Sequence, residues 1–305
     1  YALASILDAT SLGTLTSTPI PDFSGTFEGL GNTISNLTVH DTAGGYVGLF
    51  GTIDHSGVVE NVGLTGVSIT GGNSLSYVGG LAGLNFGTIS GAYTTGTVNG
   101  NGTHIGGLVG YILSGTLTNA YMTGTVTANG GNNSVGGLVG YILSGTLTNA
   151  YMTGTVTANG GNNSVGGLVG TTRGPITNAY AAGSVTATGG GSRVGGLVGI
   201  NQYAGTMTNV YATGSVFAAG NYNNVGGLAG IGAAAITNAY AAGSVTGTGT
   251  NNYVGGLLGA QQSSLTKGYF DQTAAGTSAG AGFHSGSALI GLSLIHNVRC
   301  RPTTT

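Results

Sequence analysis

The chain has 305 residues, of which 65 are glycine and 4 proline, with 4% charged residues and a net charge of −2. It carries no clustered Lys and Arg to neutralise phosphates, which argues against nucleic-acid binding. No run of about 18 apolar residues is present to form a membrane-spanning helix. Apolar residues at 40% exclude a disordered chain, and glycines that do not recur at every third position exclude collagen.

Residues 1–45 precede the regular pattern and read as lead-in or capping coils. They hold Asp8, Asp22, Glu28 and Asp41, with Asp54 and Glu60 just beyond. Charges on end strands oppose edge-to-edge pairing. A catalytic carboxylate pair from Asp22 and Glu28 is the alternative reading. The sequence Asp54-His55-Ser56 is a poor triad, because neighbours on a strand point to opposite faces.

From 46 to 271 two phrases share one period. Gly-Leu-x-Gly recurs eight times, with its leucines at 49, 81, 108, 138, 168, 197, 228 and 257, spaced 27 to 32 residues apart. A second phrase, centred on Asn-Ala-Tyr, places tyrosines at 93, 121, 151, 180, 211, 240 and 269, spaced 28 to 31 apart. Residues 111–140 and 141–170 are identical.

Within a unit, short β-rich runs at 115–118, 120–128 and 135–142 are separated by Gly and Asn, which reads as three short strands. The middle run alternates Ala120, Met122, Gly124 and Val126 with Tyr121, Thr123, Thr125 and Thr127, giving an inner and an outer face. The predicted fold is therefore all-β: a parallel β-solenoid of about seven or eight coils of roughly 30 residues. Gly-Leu-x-Gly falls on one strand, Asn-Ala-Tyr at a corner and Gly-Ser/Thr-Val on the next strand. Length changes occur only before Val-Gly-Gly-Leu and after Gly-Leu-x-Gly, which makes those sites the outer loops.

Asn119, Asn149, Asn178, Asn209 and Asn238 are expected to stack as an amide ladder. The tyrosines read first as an aromatic ladder. Tyr121, Tyr151, Tyr180, Tyr211 and Tyr240 are also the candidate binding residues, as a strip that grips sugar rings. The sequence implies no cofactor, metal site or catalytic residue. Between Asn61 and Thr266 the only charges are Arg173 and Arg193, so the repeat body offers no carboxylates for hydrolysis or calcium binding. The five histidines share no spacing. Residues 272–305 read as an irregular segment ending in an atypical tail that holds Arg299, Cys300 and Arg301.

The phrase Val-Gly-Gly-Leu-x-Gly resembles the GLUG repeat of large bacterial surface proteins. The stretches Phe23-Ser24-Gly25-Thr26-Phe27-Glu28-Gly29-Leu30-Gly31 and Ile34-Ser35-Asn36-Leu37-Thr38-Val39 resemble the lead-in of filamentous-haemagglutinin-like adhesins. Gly268-Tyr269-Phe270-Asp271 resembles the segment that closes such arrays. The resemblance implies a secreted or cell-surface bacterial β-helical stalk, structural and adhesive rather than enzymatic. Its partners would be host-cell or matrix glycans or proteins, or other adhesin chains. Two alternatives stand beside it. Hydroxyl rows at Thr97, Thr125, Thr155, Ser184, Ser215 and Ser244, and at Thr127, Thr157, Thr186 and Thr246, fit an ice-binding solenoid, although Asn99 and Phe217 interrupt the second row. A polysaccharide-active β-helix enzyme would need a charged cleft. With so few ionisable groups, stability is expected to be flat from pH 5 to 9.

Overall fold

A computed structural model describes residues 1–284 and the backbone of Leu292–Ile295. The chain is 56% strand and 3% helix and winds into a parallel β-solenoid of about 9 turns of about 29 residues. At one strand spacing per turn the rod is about 43 Å long.

Three parallel sheets run along the rod, with 20, 8 and 10 strands, here called sheets 1, 2 and 3. One coil shows the circuit. Ile176–Ala181 and Ser184–Ala187 lie in sheet 1, Arg193–Gly195 in sheet 2, and Val198–Asn201 in sheet 3. Each strand pairs with its equivalent one coil away, as in Tyr151↔Tyr180, Val165↔Val194 and Val169↔Val198. Backbone groups of interior coils are thereby bonded on both sides, so the stack needs no helix to cover its edges.

The expected alternation holds. Leu117, Ala120, Met122, Val126 and Ala128 are buried, while Tyr121, Thr123, Thr125 and Thr127 are on the outer face. Repeated Leu and Val columns, such as Leu108, Leu138, Leu168 and Leu197, fill a continuous core. Burial of about 25 cal/mol per Å² of apolar surface in this column is what holds an almost uncharged chain together.

Two expectations change. The coil number is about nine rather than seven or eight. Counting Gly-Leu-x-Gly misses coils whose backbone pairs without that phrase: Ile20–Phe23 aligns with Phe50–Ile53, and Ala281–His284 with Leu258–Gln261. The division of a coil also differs. The runs at 115–118 and 120–128 are one continuous strand of sheet 1, Thr116–Ala128, and the run at 135–142 is two strands in different sheets. The asparagine is a left-handed kink inside sheet 1, with φ 53° at Asn119, and the register skips it. The sharp corner falls instead at Gly137-Leu138.

That corner explains the Gly-Gly-Leu-x-Gly phrase. A methyl group on Gly140 would sit 2.6 Å from the amide nitrogen of Ile105 and 2.9 Å from the carbonyl carbon of His104. One on Gly137 would strike the carbonyl oxygen of Gly167 and the Met152 side chain. Sheets 2 and 3 therefore meet backbone to backbone, and only glycine leaves that space. The loops fall where predicted, at Asn129–Asn133 and around Ser144 and Gln202–Thr206, with Asn129, Ser144 and Tyr203 exposed at their tips. At the N-terminal end, Leu3, Leu7, Leu12, Ile20 and Phe27 surround an apolar cavity of about 260 Å³.

Candidate ligand-binding surface

The outer face of sheet 1 carries the candidate tyrosines in one column. Strand pairing sets Tyr93, Tyr121, Tyr151, Tyr180, Tyr211, Tyr240 and Tyr269 in register. The first five rings stack with centroids 4.7, 4.8, 5.0 and 4.7 Å apart and planes within 4°. The strand spacing of a parallel sheet, about 4.8 Å, dictates this separation. Burial, and then the neighbouring phenols, holds the Tyr121, Tyr151 and Tyr211 hydroxyls above the ordinary tyrosine pKa. For Tyr240 burial leads and the Asp271 charge adds. These hydroxyls stay neutral hydrogen-bonding groups at physiological pH.

Beside the rings runs the predicted amide ladder. Asn149 Nδ2 donates to Asn119 Oδ1 at 3.1 Å, Asn178 to Asn149 at 3.2 Å, Asn209 to Asn178 at 3.0 Å and Asn238 to Asn209 at 2.9 Å. All five asparagines are exposed. The column is asparagine because the residue must hold positive φ and also bond along the axis.

A second ladder, inside the corner, was not anticipated. The Asn133 amide nitrogen donates to Asn163 Oδ1 at 2.9 Å, Asn163 to Ser192 Oγ at 3.2 Å, Ser192 to Asn223 Oδ1 at 2.8 Å and Asn223 to Asn252 Oδ1 at 2.7 Å. These side chains point inward and close the backbone of the loop between sheets 1 and 2. The signal was in the sequence, as a polar residue two positions before each Val-Gly-Gly, but it reads there as ordinary turn chemistry.

The seam between sheets 2 and 3 gathers residues that the sequence left scattered. The outer residue of each sheet 2 strand packs on the outer residue of sheet 3 one coil later. Tyr77 meets Tyr111 at 5.0 Å, His104 meets Tyr141 at 4.9 Å, Ser134 Oγ lies 3.0 Å from Thr171 Oγ1, and Tyr253 meets Phe283 at 5.1 Å. His104 is sandwiched between Tyr77 and Tyr141, and its Nδ1 is buried without a hydrogen-bond partner. Burial pushes its pKa down to about 4, against a smaller upward effect of a backbone hydrogen bond at Thr103. The Arg173 guanidinium lies 4.8 Å from the Tyr203 ring centroid and 5.9 Å from that of Tyr141. Burial first, then nearby phenols, pushes Tyr111 up to about 12. These contacts use each ionisable group as packing material.

The catalytic alternatives do not assemble. Asp22 lies in sheet 3 and Glu28 in sheet 1, where Glu28 accepts hydrogen bonds from the Leu30 amide and Asn61 Nδ2. Ser56 Oγ donates to the Ser24 carbonyl, and His55 packs on Phe86 at 4.7 Å. Among the described residues, no group of three or more His, Cys, Asp and Glu side chains could hold a metal. The hydroxyl row is in register over Thr97, Thr125, Thr155 and Ser184, but Phe217 stands exposed in the neighbouring row.

Residues 101–127, 131–157 and 190–216 match the family described as the GLUG motif. An 88-residue stretch, 29% of the chain, is 48% identical to Halomucin of Haloquadratum walsbyi. A 67-residue stretch, 22% of the chain, is 42% identical to a candidate Gly-rich membrane protein of Evansella cellulosilytica. The chain spans only about 1% and 8% of those two relatives. The fold resembles the crystal structure of a candidate immunoglobulin A1 protease from Bacteroides ovatus, with TM-score 0.60 and 24% identity over 71% of this chain and 70% of that one. At that identity the likeness concerns the fold alone. The chain thus carries GLUG repeats on a β-solenoid. No helix among the described residues is long and apolar enough to cross a membrane.

Proposed function

We propose that the chain is a rigid, non-catalytic segment of a secreted or cell-surface adhesin. It acts as a stalk that carries its own binding face, in the manner of filamentous-haemagglutinin-like proteins. The observation that supports this reading is the coil-on-coil parallel stacking of about 9 turns into a nearly uncharged rod. Such a rod resists bending because every coil is bonded to the next through three sheets. The similarity to Halomucin and to a membrane protein supports the surface setting. Contact would come through ring edges, hydroxyls and corner loops, with host-cell or matrix glycans or proteins, or other adhesin chains, as partners.

The test is adhesion of beads coated with the full chain to cell monolayers and to immobilised matrix glycans and proteins. Retention above that of beads coated with an unrelated solenoid is the expected result. Retention equal to that control overturns the adhesive part of the reading. A second reading, ice binding, draws on the four-coil hydroxyl register on sheet 1. Thermal hysteresis measured on the folded chain decides it, and zero hysteresis removes it.

A further inference from the structure

Sugar recognition by tyrosine uses a ring face, where the partial negative charge of the π-system meets the C–H groups of a pyranose. The ladder consumes most of its own faces. Tyr121, Tyr151 and Tyr180 are each covered on both sides by neighbouring rings. Tyr93 stacks on Tyr121 on one side and lies over the backbone of Gly63, its register partner, on the other. Tyr211 differs. It stacks on Tyr180, but Tyr240, next in register, does not stack on it. Tyr211 is 40% exposed, and its free face opens into a recess of about 440 Å³ bounded by Asn209, Asn238, Tyr240 and Tyr269.

The amide ladder ends one step further on, at the border of the same recess. Each asparagine uses its Nδ2 toward the coil before it and offers its Oδ1 to the coil after it. The position following Asn238 is Lys267, which keeps the left-handed kink at φ 54° and puts an ammonium group in place of the amide. Among the described residues Asn238 Oδ1 has no hydrogen-bond donor, and it faces the Lys267 coil at the border of the recess that the Tyr211 face opens into. The unstacked face of Tyr211 and the last asparagine of the ladder line one recess. At its other end Asn119 offers a donor, but the neighbouring rings there are closed.

We infer that the step between Tyr211 and Tyr240 is a binding site for one neutral hexopyranose unit. The sugar's C–H face lies on Tyr211, a hydroxyl donates to Asn238 Oδ1, and the Tyr240 and Tyr269 side chains border the rim. The recess is shallow and open and lined mainly by apolar surface, which suits the C–H face of a sugar laid on a ring. This inference rests on the adhesive reading and locates it at one step of the rod, rather than along the whole strip.

The experiment is saturation-transfer NMR on the full chain with methyl glucoside, galactoside, mannoside and N-acetylglucosaminide at millimolar concentration, plus p-cresol as a planar aromatic probe. At least one pyranoside should give a saturable signal. Y211A and N238A should weaken it at least tenfold, Y211F should keep it within about threefold, and Y151A should retain it. Y211L keeps an apolar side chain without a ring face, and serves if Y211A does not fold by circular dichroism. The site is overturned if no pyranoside binds, if only p-cresol binds, if Y211A and Y211L bind as the parent does, or if Y151A loses binding to the same extent. Bead adhesion that survives Y211A, without any pyranoside signal, would leave the adhesive reading standing and remove this site. A pyranoside signal without adhesion would do the reverse.

Discussion

The tyrosine face of sheet 1 and the seam between sheets 2 and 3 run side by side along the same rod with the same period, yet they are built in opposite ways. On the tyrosine face the side chains are constant and make the contacts. Rings stack on rings, and amides bond to amides. At the seam the constant element is the absence of a side chain, at Gly137, Gly140 and their equivalents, while the outer residues change from coil to coil. Sheet 2 presents Tyr46, Tyr77, His104, Ser134, Ser164, Arg193, Asn224 and Tyr253 in succession. A repeated residue thus has two distinct causes, self-complementary stacking in one place and backbone crowding in the other. Substitution separates them.

The largest expected effect is at the seam. G140V or G137V forces a side chain into backbone atoms of the adjacent coil and should cost about 3 kcal/mol or more, as overpacking and backbone displacement do. T123V, on the tyrosine face, should stay within about 0.5 kcal/mol. Urea unfolding followed by circular dichroism makes the comparison, and near-equal midpoints would break it.

Acid comes next. The His104 pKa falls to about 4 in the fold from the ordinary histidine value of about 6.5. The unfolded chain therefore binds a proton more readily than the folded one. Its contribution is fully present above about pH 6.5 and is lost as pH falls toward 4, up to about 3 kcal/mol. This sets a decline on the acid side against the flat profile expected between pH 5 and 9, because burial between two tyrosines perturbs a group that composition treats as ordinary. Thermal melts from pH 7.5 to 4.5 should show the decline in the parent and a flatter profile in H104F. A flat parent profile would show that His104 charges without cost.

The buried ladder follows. N163A removes the acceptor of the Asn133 amide and the donor to the Gly160 carbonyl. Leaving such groups unpaired costs about 1–3 kcal/mol, whereas N178A in the exposed ladder should cost about 1 kcal/mol, largely for an alanine at positive φ. N178G should recover part of that loss, and hydrogen exchange at Asn133 should rise only in N163A. Y151A should have an effect as small as that of N178A. It removes two ring contacts, each worth about 0.5–1.5 kcal/mol before relaxation, from a half-exposed site, and a net loss near 1 kcal/mol is expected in the same melts.

The sequence by itself determined the period, the parallel stacking, the inner and outer parity of sheet 1, the two loop positions and the exposed asparagine ladder. These are properties of one coil repeated, and a repeating chain displays them directly because each coil meets only its own copies. It also placed Tyr121, Tyr151, Tyr180, Tyr211 and Tyr240 in one column. Tertiary structure alone decided where the coil turns, since Asn119 kinks within a sheet while Gly137-Leu138 makes the corner, and a sequence shows a glycine without showing the backbone that crowds it. It alone brought His104 to Tyr141 and Tyr77 to Tyr111, contacts that cross from one coil to the next and leave no local pattern. It alone showed where the ring stack stops, at Tyr211, because a free ring face depends on where the neighbouring ring turns, and seven tyrosines at one spacing carry no mark of that.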